Sequence, residues 1–545
     1  MVVTKINTGY KLEFGYNPSI LEEVRNIPGR TFNYSQKFWA VPFSSKPYLD
    51  KLVEKYAIKT DIKPEQIGEI PELPELTISI PLKRELFPFQ AKGVAQGLIF
   101  KRFINGDQPG LGKTTQAIAT AVGAGCKCIL VICPSTLKTN WQREFEIVAG
   151  VKSMILEEKV KNTWHRYYTT GLNKVFITNY ESLKKYFVKS INKSESGRIG
   201  LKNIEFKGEI DLFDCIIIDE LHRCKDYTTQ QAKFVMGITK NKEYVMGLTG
   251  TPVVNKPKDL VAQLYIINQL FNIVPNYKYF IDRYCGGTGK GAFNLKELNY
   301  KLATTCFFQR QKKDVLHELP DKMRNIILCD ITTRAEYDEA LKDLANYLAE
   351  FKNKSELEIA RSMNGEVMVR IGVLKNIAAR GKMNEVCEYI DEVVEAGEKV
   401  VVFIHQKEIA NVLLVKYTNA VSVRGDDSME QRQIAVDRFQ NDSNVKIIIC
   451  SIKAAGVGLT LTASSRVAFV ELPWHPADCE QCEDRTHRIG QKNSVQVSYF
   501  LGKDTIDEDI YKIIESKRIV ANSVTGTQDN VQREIIEKFK NLFSK

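Results

Sequence analysis

Several residue classes are scarce along this chain of 545 residues, and each scarcity narrows the reading. There are only six histidines and four tryptophans. No apolar run is long enough to span a bilayer, which excludes a membrane-embedded helical protein. The opening stretch, MVVTKINTGYKLEF, contains no signal-peptide core, so a cytoplasmic location, or a nuclear one in a eukaryote, is expected. Cysteine is present, but the twelve residues are scattered singly, several inside apolar runs such as ILVICP and DCIIIDE. They read as reduced core residues in a reducing compartment rather than as a disulfide framework. Cys126 and Cys128, one residue apart on an expected strand, pack on one face. Cys479 and Cys482 with His487 resemble half a zinc site, yet no second pair completes it.

What is there is the balance of a folded protein, with hydrophobic residues at 43% and charged residues at 26%. The length suits about three domains. The net charge of +11 suits a polyanionic partner without demanding one. Short β-branched runs recur at 129–132, 175–177, 215–218, 400–404, 446–449 and 467–470. Each ends in a polar or Gly-rich loop, the pattern of strands buried on both faces of a parallel sheet. Helical stretches, among them 115–122 and 430–439, alternate with them, which predicts α/β domains with crossover connections. Two such blocks are expected, at 85–285 and 396–520, separated by a mostly helical connector over 286–395. The segment 1–70 is rich in aromatics and reads as a small α+β module. A proline-spaced linker, 71–84, follows it. A helix is expected over 521–545, its apolar Ile535, Ile536, Phe539, Leu542 and Phe543 at helical spacing.

The strongest chemical signal is the run Asp107, Gln108, Pro109, Gly110, Leu111, Gly112, Lys113, Thr114, which follows an expected strand and opens a helix that continues through Thr115. Glycines let backbone N–H groups approach phosphate oxygens, and the helix N-terminus adds a favourable dipole. Lys113 can reach the β- and γ-phosphates, and the Thr114 hydroxyl can bind Mg²⁺. Asp107 stands where the phosphate-loop pattern has its first glycine. A second signal lies further along. CIIIDELH (215–222) is a buried strand ending in two carboxylates. Asp219 can hold Mg²⁺ and Glu220 can polarise the water that attacks the γ-phosphate.

With these residues in view, the chain resembles the SWI/SNF-type DNA translocases of helicase superfamily two, over nearly everything from 86 to 501. The resemblance implies a fold of two RecA-like lobes with parallel sheets forming an ATP cleft. LFPFQ (86–90) is similar to the adenine-reading segment, with Gln90 as the reader. CPSTLKTNW (133–141) and TNYESL (178–183) resemble DNA-facing blocks, which implies DNA contacts at Ser135 and Tyr180. LTGTP (248–252) resembles the segment that couples hydrolysis to movement, assigning coupling to Thr249 and Thr251 together with His222. In the second block, VVVFIHQ, VRGDDSMEQRQ and IIICSIKAAGVGLTLT imply DNA contacts at His405, Arg424 and Lys453 and a nucleotide contact at Gly456. LPWHP (472–476) and QCEDRTHRIGQ (481–491) resemble the arginine-finger motif. They imply coupling by Gln481, catalytic Arg485 and Arg488, and a DNA contact at Trp474. A helix through this motif is expected to gather Asp484, Arg485 and Arg488 within about one turn. Arginine there can contribute about 10³ to 10⁵ in rate. Because it lies far along the chain from the phosphate loop, lobe closure on ATP is implied. His475 stands where the family usually has Asn, and Gln108 and Pro109 also depart from the usual loop residues. Stiffness rather than activity should change.

Residues 10–58 resemble the HARP module found beside annealing-helicase motors, through Phe14-Gly15-Tyr16, Pro28-Gly29-Arg30 and Lys37-Phe38-Trp39. Trp39 is the candidate DNA contact there. Double-stranded or forked DNA is the implied partner, with ATP and Mg²⁺ as cofactors. A strand-separating DNA or RNA helicase and a non-catalytic DNA-binding scaffold are the alternatives; the intact Lys113, Glu220, Arg485 and Arg488 disfavour the scaffold.

Overall fold

The computed structural model describes residues 2–523 except 7–8, 28, 35, 43–44, 57–58, 61–67, 193–198, 251–256, 288–291, 317, 351–355, 456–457 and 475. Thr251, Gly456, His475 and the expected terminal helix beyond residue 523 therefore lie outside the described residues. The chain divides into two compact units, residues 1–108 with 112–311, and residues 109–111 with 312–545.

The first unit begins with β1 (Val2–Ile6), β2 (Gly9–Glu13), β3 (Thr31–Asn33), β4 (Phe38–Pro42) and β5 (Lys59–Thr60), in the order β3-β4-β2-β1-β5. Helices Pro18–Arg25 and Lys46–Lys55 complete this module. Asn17 caps the first of them, its side chain accepting from the N–H of Ser19 and Ile20. Pro18 takes the first helical position, where a missing N–H costs nothing. Val3, Leu12, Val24, Val41 and Leu49 make its core. Residues 68–87 contain neither helix nor strand. The N–H of Lys83 there donates to Val148 O at 2.7 Å.

The larger sheet of this unit is wholly parallel. It comprises β6 (Arg102–Asn105), β7 (Ile129–Cys133), β8 (Met154–Ile155), β9 (Val175–Asn179), β12 (Cys215–Asp219), β13 (Tyr244–Leu248) and β14 (Phe307–Phe308), with β10 (Val188–Ile191) and β11 (Ile204–Phe206) as a separate hairpin. The order is β14-β6-β13-β12-β7-β9-β8. β7 and β13 are buried at every residue, as a sheet covered by helices on both faces requires. Ile104, Leu130, Phe176, Ile216 and Val245 anchor the core, and Trp164 stacks on Phe213 with ring centroids 5.0 Å apart.

The second unit carries β15 (Lys322–Cys329), β16 (Val400–Ile404), β17 (Val421–Val423), β18 (Ile447–Ser451), β19 (Arg466–Phe469) and β20 (Val495–Gly502), also parallel, in the order β15-β20-β19-β16-β18-β17. Each unit thus carries a RecA-like α/β lobe. Within the expected connector, 286–395, two strands join the sheets. Phe307 and Phe308 extend the first sheet, and residues 322–329 form an edge strand of the second. The sequence KMRNIILC mixes polar and apolar residues because one face and one edge of β15 are exposed. That pattern lacks the continuous apolar run by which central strands are recognised. Helices Leu295–Thr305, Lys312–Val315, Arg334–Glu350, Glu356–Gly381 and Met383–Glu395 make up most of the connector's other described residues.

Among the described residues no helix is long and apolar enough to cross a membrane. The cysteines are free, Cys387 half-buried and the rest buried. Cys479 and Cys482 lie fully buried in the second core.

Candidate nucleotide site and nucleic-acid edge

Strand register decides which loops meet. β13 lies between β6 and β12, and Asn105, Leu248 and Asp219 are register partners at their carboxyl ends. The phosphate loop, the LTGTP segment and the DELH turn therefore leave the same edge, where α/β sheets bind ligands. The loops of β7 and β9, carrying Ser135 and Tyr180, leave that edge on the far side of β12.

The phosphate loop turns on Gly110 and Gly112, at φ +89° and +75°. The left-handed φ at Gly112 favours glycine, and a Cβ added there would displace the buried Gln90 side-chain amide. Helix Lys113–Gly123 opens directly from Gly112, leaving its first N–H groups and dipole at the loop. Lys113 donates to the Asp107 carbonyl at 2.6 Å. Leu111 and Thr115 are buried, and Gln108, Pro109, Gly110 and Thr114 are half-buried. This left-handed, glycine-lined turn ahead of a helix, with a lysine and a threonine at its first positions, fits a Mg²⁺–triphosphate group.

Asp107 has a role no glycine could fill. Its buried carboxylate accepts from the backbone N–H and Nε of Arg310, each at 3.0 Å, and from Gln116 Nε2 at 2.9 Å. Arg310 also ion-pairs with it through Nη2, donates to Gln116 Oε1 at 2.7 Å and lies over the Phe89 and Phe308 rings. Asn105 closes the network through Gln116 and the N–H of Asp107. Sequence reasoning missed Arg310 and Gln116. The signal available was an acidic residue in a buried loop, which requires a cationic partner.

At the DELH turn, Asp219 Oδ2 accepts from the Trp141 indole at 2.9 Å and Oδ1 from the Glu220 N–H at 3.0 Å. Burial, then the neighbouring Glu220 charge, raise its pKa to about 6 against the pull of Trp141 and Lys113. Glu220 sits at φ +54°. A residue with a side chain adopts that left-handed conformation only when held. His222 Nδ1 lies 3.2 Å from Thr249 Oγ1 and 3.3 Å from Glu220 Oε2. Burial lowers the His222 pKa to about 4, so the ring is neutral at pH 7. Thr249 is fully buried, its N–H on Asn105 O at 3.1 Å.

Tyr180 departs from its expected place. It is 1% exposed, and its hydroxyl donates to Asp219 O at 2.6 Å, a strut beneath the turn rather than a surface contact. Ser135 is exposed. In the N-terminal module Trp39 is half-buried, packed on the module core and against Phe32 with ring centroids 5.0 Å apart.

The carboxyl edge of the second sheet gathers the other expected DNA residues. His405 follows β16, Arg424 follows β17, Lys453 follows β18 and Trp474 follows β19, on strands in mutual register. Lys453 is exposed. Arg424 is half-exposed, its N–H on Asp427 Oδ2 at 2.6 Å. Glu471 accepts from the N–H groups of His405 and Gln406, shaping that loop, while burial lowers the His405 pKa. Trp474 is half-buried rather than exposed, with the Lys375 ammonium 4.3 Å from its ring centre.

The arginine motif is not one helix. Helix Pro476–Glu483 includes the half-buried Gln481 and ends before Asp484, and residues 484–490 form successive turns. Three sets of contacts hold them. Gln491 donates to the carbonyls of Ser464, Thr486 and Thr462 and accepts from the N–H groups of Lys492 and Asn493. Glu483, fully buried, is gripped by Lys322 and Arg324 of β15 and by Arg518 and Tyr499. Lys312 adds an ion pair to Asp484 and a hydrogen bond to His487 O, each at 2.7 Å. Arg485 and Arg488 are on this braced turn, with Arg488 Nη1 on Leu459 O at 3.2 Å.

A glycine-lined loop ahead of a helix, an acidic pair and the buried Thr249 on one sheet edge, followed by a second RecA-like lobe with a braced arginine turn, define a helicase-type ATPase. The chain matches the SNF2-related domain over residues 98–384 and the helicase conserved C-terminal domain over residues 381–490. It belongs to the SNF2-related family. It is 27% identical over 560 residues to the Caenorhabditis elegans homolog of SWI/SNF-related matrix-associated actin-dependent regulator of chromatin subfamily A-like protein 1, covering 97% of this chain and 76% of that one. It is 29% identical over 488 residues to the DNA annealing helicase and endonuclease ZRANB3 of Homo sapiens, covering 84% of this chain and 42% of that one. The chain thus spans most of the first relative and less than half of the second. The Sulfolobus solfataricus SWI2/SNF2 ATPase core in complex with dsDNA is similar at 24% identity and a TM-score of 0.39, over 86% of this chain and 97% of that one.

Proposed function

We propose that this protein is an ATP-dependent translocase on duplex DNA, with annealing or fork remodelling as its use. The observation that carries the reading is the convergence of Lys113, Asp219, Glu220 and Thr249 at one sheet edge, next to the loop of Ser135. In this reading Gln90 and residues 107–115 hold the nucleotide, and the Thr114 hydroxyl and Asp219 hold Mg²⁺, which neutralises charge on the phosphates. Glu220 orients the attacking water. Arg485 and Arg488, from the second lobe, stabilise the charge that develops on the transferred phosphoryl group. Neutral His222, touching both Glu220 and Thr249, couples hydrolysis to the Thr249 and Thr251 segment, and Gln481 does so from the second lobe. Ser135, His405, Arg424, Lys453 and Trp474 contact the DNA, Trp474 by stacking, and Gly456 reaches the nucleotide. The module of residues 1–70, through Trp39, reads forked structures; the annealing activity named for one relative supports that part. Free, buried cysteines fit a reducing compartment, cytoplasm or nucleus.

A turnover panel tests the assignment. ATP hydrolysis should be low alone and rise steeply with duplex and forked DNA. Equal stimulation by RNA would overturn the duplex-DNA assignment, and displacement of a plain duplex strand in place of triplex displacement would favour strand separation.

A further inference from the structure

The carboxylate that would hold Mg²⁺ is not positioned by its own strand alone. β12 is followed in the sheet by β7 and then β9, and each of those neighbours sends one aromatic side chain beneath the DELH turn. From the β7 loop, the short helix Ser135–Leu137 leads into helix Lys138–Ala149, whose Trp141 is fully buried and donates to Asp219 Oδ2 at 2.9 Å. From the β9 loop, Tyr180 donates to Asp219 O at 2.6 Å and lies 3.4 Å from Glu220 O. Trp141 thus fixes the carboxylate and Tyr180 the main chain that carries it. The left-handed conformation of Glu220 needs such support, because nothing in its own side chain favours it.

Both props are tied to the loop surface. Ser135, which precedes Trp141 on the β7 loop, is exposed. Above Tyr180, the Arg223 guanidinium lies 5.2 Å from the ring centre and pairs with Glu181 at 3.2 Å, which also accepts from Asn179 Nδ2 at 2.7 Å. A buried aromatic with one polar tip is suited to carrying a displacement from an exposed loop to a carboxylate. Its ring is rigid, and losing its hydrogen bond leaves a buried polar group uncompensated.

We propose that Trp141 and Tyr180 are positioning residues that make the geometry of Asp219 and Glu220 depend on what occupies the loops of β7 and β9, so that duplex bound there raises turnover. This rests on the duplex-translocase reading above. Tyr180→Phe, almost isosteric, removes only the hydroxyl, and Trp141→Phe removes the indole N–H. Both are measured in the full chain. Each variant should lose about tenfold or more in maximal DNA-stimulated kcat. The DNA concentration at half-stimulation and the KM for ATP should stay within about twofold. The second readout needs no turnover. The indole N–H resonance of Trp141, identified by its loss in Trp141→Phe, should shift when a nucleotide-free sample receives a short duplex, and should shift less in Tyr180→Phe. A higher half-stimulating DNA concentration at unchanged kcat would make these residues DNA contacts instead. An indole resonance indifferent to duplex would overturn the coupling. Absence of DNA stimulation in the unsubstituted protein would instead sink the duplex reading itself, which keeps the two failures distinct.

Discussion

Glu220 combines two demands at a single position. Its carboxylate is the candidate water-orienting group, and its backbone is held at φ +54°. Glu220→Gln keeps that backbone demand and the side-chain size, so nucleotide binding should persist while turnover falls by about a hundredfold or more, on the scale of losing a group that acts in the transition state. Equilibrium nucleotide binding beside single-turnover hydrolysis checks this, and near-normal turnover would remove Glu220 from the role. The strain can be measured separately. Glu220→Gly and Glu220→Ala both delete the carboxylate, but only glycine relieves the left-handed conformation, so the Gly variant should be the more stable by about 1 kcal/mol in urea unfolding. Lys312 gives a pH prediction at the same scale. Burial, together with the nearby Lys322 and Arg488, lowers its pKa to about 8 against the pull of Asp484. The ammonium that braces Asp484 is therefore lost as pH rises through about 8, and turnover should decline over that range. Lys312→Arg, which stays charged, should flatten the decline. The stability sign is opposite. A lysine with a lowered folded pKa destabilises the fold wherever both states are protonated, and that deficit is removed as pH rises from about 8 toward 10.5.

Among the elements, the arginine turn depends most on partners distant in sequence. Helix Pro476–Glu483 ends in a buried carboxylate, and β15, far earlier in the chain, supplies Lys322 and Arg324 to meet it. Burial works to raise the Glu483 pKa, but Lys322, Arg324 and Arg518 overcome it and hold the group well below its ordinary 4.5. Glu483→Gln should cost about 3–5 kcal/mol, because it leaves three cations buried around a neutral amide. The sign with pH follows from the lowered value. This stabilisation is fully present above about 4.5 and is lost as pH falls below it, so the gap between the two proteins in chemical unfolding should narrow in acid. A gap that stays constant into strong acid would contradict the ion-cluster account.

The elements also show how far a sequence can be read. β7, β12, β16 and β18 were legible because strands covered on both faces are apolar at nearly every residue, and the phosphate loop because its glycines and lysine are nearly contiguous. β15 was not, since an edge strand with an exposed face carries mixed residues. The helix expected across Asp484, Arg485 and Arg488 gave way to turns because Gln491 and Glu483 draw the backbone toward partners that local spacing does not reveal.

At the level of the whole molecule, the aromatic N-terminal module has its own sheet and core, with Tyr48 packed against Phe293 as a point of contact within the first unit. If the module reads DNA structure rather than completing the nucleotide site, removing residues 1–60 should leave duplex-stimulated turnover within about threefold while lowering the preference for forked over plain duplex. Competition binding with the two DNAs checks this, and an unchanged preference would reduce the module to a packing element. Family membership, the α/β class and the candidate nucleotide residues were legible in the sequence, because the chemistry they point to requires particular side chains at short, fixed spacing. Which residues hold them was decided only by tertiary structure. Arg310 under Asp107, Trp141 and Tyr180 under Asp219, and β15 around Glu483 are partners far apart along the chain. A buried charge must find its counter-charge wherever the fold brings one, and no local pattern records that pairing.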